Sequence, residues 1–269
     1  MAAGARAMAC AAIVAWVGAG ALMAPRGAWA GAWTEPQGEG LAIETFSGWK
    51  GDGAPWGDGR RVSQNRFDAE TYVEYGLNQD WTIFGEMGIE RYQLGQPTPN
   101  TYNGLDYSDI GLRRKLWSTG EWVFSGEAAL LLPGAHDPSA PAQEGNTGGA
   151  GEARLSAGAN FTLGRWPGFF DAELAYRLRT AGPPDEWHAD LTVGLKPAPG
   201  WMLMLQDFAT VSAPSSNREF PAWRSSVVEA SLVVPLDAQW SLQLGLFTSV
   251  LAVKTNTERG AALSIWRTF

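Results

Sequence analysis

The chain has 269 residues and a formal charge of −8, with 20 Lys and Arg against 28 Asp and Glu. That acid excess excludes nucleic acid as a partner, because phosphates need basic contacts. Cys10 is the one cysteine, so disulfides, thiol catalysis and zinc–thiolate sites are excluded from the rest of the chain.

The first thirty residues read as an export signal. Arg6 gives a weakly basic start, an apolar stretch runs from about Ala7 to Met23, and Ala28-Trp29-Ala30 supplies small residues at the two positions signal peptidase reads. Cleavage is expected after Ala30, which divides the chain into a signal peptide, 1–30, and a mature domain, 31–269, that starts at Gly31. The rival is a retained anchor, but the stretch is short and rich in Ala rather than Leu, so it would span poorly. Cys10 lies too early in the signal to be a lipoprotein cysteine. Removing Arg6 and Arg26 with the signal leaves the mature chain two charges more negative, and no part of it approaches a spanning apolar helix.

Beyond Gly31 the sequence alternates apolar and polar residues between turn signals. It predicts twelve strands, near 39–49, 62–76, 81–93, 107–117, 121–132, 151–163, 168–180, 186–196, 201–212, 222–235, 240–252 and 260–269. Most are longer than the 5 to 6 residues of ordinary globular strands and match the roughly 9 to 11 of a tilted membrane strand. Short connections at 77–80, 118–120, 164–167, 197–200 and 236–239 alternate with mostly longer loops near 50–61, 94–106, 133–150, 181–185, 213–221 and 253–259. Short periplasmic turns alternating with longer external loops mark a transmembrane antiparallel up-and-down β-barrel, and the fold class expected is all-β.

Tryptophan gives an independent check. Trp81, Trp122, Trp201 and Trp240 stand directly after short turns or one residue past them, and Trp166 lies within another. Aromatic rings at one rim suit the headgroup level, where one edge is apolar and the other wet. The strand faces also separate. Trp240, Leu242, Leu244 and Leu246 oppose Ser241, Gln243 and Gly245, while Phe170, Leu174 and Leu178 oppose Asp171, Glu173, Arg177 and Arg179. Apolar residues then face lipid and charges face the lumen. Asp207 and Arg114 fall on apolar faces, which a bulge or an interfacial position would explain.

The chain ends Leu263-Ser264-Ile265-Trp266-Arg267-Thr268-Phe269. This resembles the last strand of Gram-negative outer-membrane β-barrels, which ends in Phe after alternating apolar residues. Phe269, Ile265, Leu263 and Ala261 match, and Arg267 departs. The resemblance implies that the barrel-assembly machinery reads Phe269 and that the partner of the folded chain is outer-membrane lipid. The mature start, Gly31-Ala32-Trp33-Thr34-Glu35-Pro36, also resembles uncharacterised proteobacterial barrels grouped loosely with proposed transporters of aromatic-degradation pathways.

The register assigns an acid-rich lumen. Glu70, Glu86, Glu127, Asp171, Glu173, Asp190 and Glu229 are the expected selectivity acids, joined by Arg177 and Arg179 as partners of Asp171 and Glu173 on their own strand face. The fuller set adds Glu44, Asp68, Glu74, Glu90, Asp109 and Glu152 with Arg66, Arg113, Lys115, Arg154 and Lys196. Unpaired buried charge is prohibitive, so this interior is either hydrated or laced with ion pairs.

His188-Ala189-Asp190 puts an imidazole and a carboxylate on one face, but the further rim aspartates of an omptin-like protease are missing. His136 and His188 do not suit the lipid-facing arrangement of an outer-membrane phospholipase. Asp52 and Asp58 in a Gly-rich loop are too few oxygens for calcium. No catalytic residue, metal or cofactor is expected. The sequence reads as a narrow channel or passive transporter for small solutes. A structural or assembly protein with a plugged lumen is the alternative, and a barrel-embedded hydrolase comes third.

Overall fold

The computed structural model describes residues 31–53, 62–95, 99–134, 148–180, 182–217 and 220–269. These residues form twelve strands: β1 (Gly40–Gly53), β2 (Val62–Gly76), β3 (Trp81–Leu94), β4 (Asn100–Ser118), β5 (Trp122–Leu132), β6 (Ala150–Leu163), β7 (Trp166–Arg179), β8 (Glu186–Ala198), β9 (Trp201–Ser212), β10 (Arg224–Pro235), β11 (Trp240–Val253) and β12 (Arg259–Thr268). Each pairs antiparallel with its neighbour in sequence, and β12 pairs back onto β1, so the sheet closes. At the seam the ladder runs from Leu41↔Thr268 to Lys50↔Arg259. Phe269 extends it beyond β12 through backbone bonds of 2.8 and 2.9 Å with Gly40.

The expected strand positions hold within a few residues, with one large exception. β4 begins at Asn100, because the stretch expected as loop continues the β3 ladder through Leu94↔Asn100 and Tyr92↔Tyr102. Pro97, Pro99 and Gly104 signal turns in the sequence, yet pairing with β3 carries the strand past Gly104.

Five short turns end on a tryptophan that opens the next strand: Trp81, Trp122, Trp166, Trp201 and Trp240. Trp166 therefore belongs to β7 rather than to the turn. Three turns capture the amide of that tryptophan with a side chain. Asn78 Oδ1 accepts from Trp81 N, Thr119 Oγ1 from Trp122 N, and Asp237 Oδ1 from Trp240 N. A short polar side chain bonding its own backbone two or three residues on is how such turns close.

The outer face is apolar. Leu246 is 70% exposed and Leu155 64%, a surface that would aggregate in water and suits hydrocarbon. The two misfits are accommodated. Arg114 lies over the Trp81 ring at the turn end of β3, 5.2 Å from its centroid. Asp207 accepts a 2.6 Å bond from Ser226, beside a register shift of β10 against β11. Glu44 requires a correction. It shares the outward face of β1 with Ala42 and Phe46 and accepts a bond from Thr71 of β2, while Ile43 and Thr45 face the lumen.

The reason is an apolar core inside the barrel, which reverses the usual alternation there. Leu41, Phe169, Met202, Met204, Val233 and Trp266 are buried together, with Trp33 and Ile43 packed against them. Trp266 Nε1 donates to Gln243 at 2.9 Å, so its polar edge is satisfied.

Asp237→Ala removes the acceptor for both Gln239 N and Trp240 N, 2.8 and 2.9 Å away. Net hydrogen bonds contribute about 1 kcal/mol each. Denaturant titration of the refolded barrel in vesicles should therefore show a loss of roughly 1 to 2 kcal/mol, and an unchanged midpoint would refute the turn's role.

Candidate functional site

The lumen has two unlike walls. From β2 to β8 it is charged, whereas β9, β11, β12 and β1 present Met202, Met204, Gln206, Gln243, Ser264 and Thr45. On the charged wall, ion pairs form mainly across strands. Arg113 of β4 reaches Glu74 of β2 at 2.8 Å and Glu127 of β5 at 2.6 Å. Arg154 of β6 binds Glu173 of β7, Asp190 of β8 at 2.8 Å and Glu152 at 3.0 Å. Arg177 of β7 binds Glu152 at 2.8 Å, and Arg179 binds Glu186 of β8 at 2.8 Å.

Arg177 and Arg179 therefore do not pair with Asp171 and Glu173, as their shared strand face suggests. Residues four apart on one strand are separated by roughly 13 Å, whereas directly opposed residues on neighbouring strands lie about 5 Å apart. His188 is likewise engaged away from Asp190. Its Nε2 lies 3.2 Å from Glu186 and its Nδ1 3.3 Å from the Thr210 hydroxyl.

A second charged cluster lies around Arg66 of β2, whose guanidinium binds Asp68 at 2.5 Å, Glu90 at 3.2 Å and Asp106. These three carboxylates converge closely enough to hold a metal ion, but the guanidinium already occupies their centre. Of the Gly-rich loop, Asp52 belongs to the end of β1, while Asp58 lies outside the described residues, as does His136.

The nine expected lumen residues do not all meet. Glu86, Glu127, Asp171, Glu173, Arg177, Asp190 and Glu229 line one chamber of about 530 Å³. Glu70 stands outside that lining, against Gly88 of β3, and Arg179 is held beside Tyr107 and Glu186. Among the described residues, Glu70, Glu86, Asp109, Asp171 and Glu229 have no cation at ion-pair distance. Oδ1 of Asp109 finds no hydrogen-bond partner among the described residues.

Residues 31–36 form a strap inside the barrel, where the short turns and both ends of the described chain meet. Ala32 is fully buried and its amide donates to Asp171 at 2.9 Å. Arg113 donates to the Trp33 carbonyl at 3.0 Å, and Glu35 N donates to Thr82 at 2.8 Å. The Trp33 ring meets Phe169 edge-on, with centroids 6.0 Å apart. Two barrel glycines make room for it. A Cβ at Gly158 would stand 2.5 Å from the Trp33 ring, and one at Gly76 would stand 2.1 Å from the Pro36 carbonyl.

Neither a protein-family profile nor a curated protein matches the chain. Solved structures do. An outer membrane channel from Pseudomonas putida F1 superposes with a TM-score of 0.65 at 13% identity, over 91% of this chain and all of that one. The β domain of the Bordetella autotransporter BrkA gives 0.58 at 13%, over 87% and 100%. The KdgM porin gives 0.52 at 7%, over 84% and 99%. The fold is that of an outer-membrane β-barrel.

Three parts of this outer-membrane barrel's site escape a reading of strands alone. Glu186 opens the expected strand 186–196 and continues the inward set of His188 and Asp190 by period two, yet it is not among the expected lumen acids. Tyr107 shares the inward parity of Asp109 and Arg113, and Asp106 turns inward beside it because the β3–β4 ladder slips between Met87 and Ile89 and leaves both out of the pairing. The strap carries no periodic signal; its aromatic Trp33 and acid Glu35 become meaningful only against Phe169 and Glu74.

Arg113→Ala would leave Glu74 and Glu127 buried without their countercharge. Breaking such a pair costs roughly 3 to 5 kcal/mol, so the variant should unfold at markedly lower denaturant concentration, while Arg114→Ala should not. Glu35, outside the strands, also carries a pH signature. Burial and then the neighbouring Glu74 push its carboxyl up to about 8 from 4.5. The folded form thus holds the proton more tightly between those values, and the seat weakens as pH rises from 4.5 to about 8. Amide exchange at Ala32 and Glu35, corrected for intrinsic rate, should accelerate across that window, and Glu35→Gln should flatten the trend. Protection independent of pH in the parent protein would contradict it.

Proposed function

We propose that the protein is an outer-membrane channel for passive passage of small solutes, with an acid-biased chamber as its selective element. The observation that carries this reading is the chamber of about 530 Å³, whose wall includes Glu86, Asp109 and Glu229, none of them with an ionic partner among the described residues. Buried carboxylates without countercharge are sustained by water rather than by a dry core. Solved channels and porins with the same barrel support the reading. The excess of acids favours cations by the logic of charged rings in other pores. The strap and the apolar core around Trp266 form the narrow part of the passage.

Trp81, Trp122, Trp166, Trp201 and Trp240 act as the girdle at one membrane interface, opening five strands at one rim. Phe269 serves as the assembly signal for the barrel-assembly machinery. A second reading, a structural or assembly protein with a plugged lumen, draws on the same strap and on the ion-paired wall.

A planar bilayer separates the two. The channel reading expects conductance with cation preference. That preference should weaken with added salt, as the screening length falls from about 10 Å at 0.1 M to about 3 Å at 1 M. Glu86→Gln combined with Asp109→Asn should reduce it, whereas lipid-facing Leu244→Gln should spare selectivity and lower stability. Absence of conductance would establish the plugged lumen, and anion preference would show that the unpaired carboxylates do not set the field.

A further inference from the structure

We propose that the lumen contains a built site for the α-ammonium group of Gly31, so that removal of residues 1–30 and seating of the strap are one coupled event. The inference rests on cleavage after Ala30 and does not depend on conduction. Hydrolysis of the Ala30–Gly31 peptide consumes one water. The carbonyl carbon gains a hydroxyl, the C–N bond breaks, and the carboxyl proton passes to the new amine. A neutral amide nitrogen thereby becomes a cation at the innermost point of the strap.

The geometry receives that cation. Gly31 lies directly against Asp171 of β7, and a Cβ built on it would stand 2.2 Å from Oδ2 and 2.7 Å from Oδ1. The backbone nitrogen is attached to the same Cα, so bond lengths alone keep it within about 5 Å of that carboxylate. Gly31 adopts a φ of 94°, a conformation that L side chains rarely tolerate, and the space a side chain would need is occupied by the carboxylate. The strap therefore starts on the residue that can press its own nitrogen end against Asp171.

The electrostatics ask for it as well. Asp171 is 3% exposed, accepts from the amide of Ala32 at 2.9 Å, and lies against the carboxyl of Glu173, a second acid that needs positive charge nearby. The chamber's guanidiniums are committed elsewhere, Arg113 to Glu74 and Glu127, Arg154 to Glu152, Glu173 and Asp190, and Arg177 to Glu152. Asp171 is thus a buried carboxylate whose countercharge is supplied by processing. In an unprocessed chain the nitrogen carries no charge, and the seat lacks the attraction that repays desolvation of the acid.

The test reads the amine itself. The processed protein, refolded in detergent, is treated with an acetyl N-hydroxysuccinimide ester at pH 7, and labelling of the N-terminal peptide is followed by mass spectrometry. Acylation needs the free amine, and one pKa unit is tenfold in its population. Gly31 should therefore label about tenfold or more slowly than in Asp171→Asn, with Lys254 labelling equally in both. Should Asp171→Asn fail to assemble, a protein with one glycine inserted between Ala30 and Gly31 serves instead. It keeps every lumen side chain while displacing the amine by about one residue length, and should lose the protection. Equal labelling in parent and variant, or a mature start other than Gly31, would overturn the proposal. Neither outcome bears on whether the barrel conducts.

Discussion

Hydrocarbon offers no partner to a backbone amide, so every N–H and C=O at membrane depth must bond within the protein. The β1–β12 seam meets that constraint, and everything else follows from it. Once Leu41 pairs with Thr268 and Phe269 locks onto Gly40, no edge remains. Each inward side chain then has a defined neighbour on either side. Because the side-chain period is two, a slip of one residue would turn Leu244 and Leu246 into the lumen and Gln243 out to lipid.

Closure also explains how the lumen tolerates so much charge. Neighbouring strands bring alternate residues within about 5 Å of one another, so acids and bases on different strands meet without long loops to guide them. Arg154 is the clearest case. It touches carboxylates from β6, β7 and β8, none more than two strands away. The pairing spends basic residues efficiently, and what is left over is acidic. The carboxylates left without a cation mostly belong to β2, β3 and β4, so the chamber is polarised across its width as well as negative overall.

The strap and the inner apolar cluster work against that polarity. Trp33 and Phe169 join residues from β1, β9, β10 and β12 into a small dry core inside the barrel. A short extended peptide cannot hold itself in such a place. It is fixed by Arg113 at the Trp33 carbonyl, by Thr82 at Glu35 and by Asp171 at Ala32. Arg113 belongs both to the wall and to the strap seat, which couples the ion-pair network to whatever the strap does.

The sequence by itself determined the barrel, most of its strand positions and its inward acids, because alternation is local. Glu127, Glu173, Asp190 and Glu229 lie inside for the same reason that Leu130, Leu174 and Leu246 lie outside. The tryptophans that open strands were legible too, since the turn residues Asn78, Thr119 and Asp237 act over only three positions. Glu44 was misread because alternation cannot distinguish an apolar face toward lipid from one toward an internal core. The partners of Arg177 and Arg179 were misassigned because spacing along a strand says nothing about registry across it. Asp106 depended on a slip in the ladder. Only the tertiary structure decided where residues 31–36 go, since the contacts that hold them come from β3, β4 and β7, tens of residues away in the chain, and exist only after the barrel has closed.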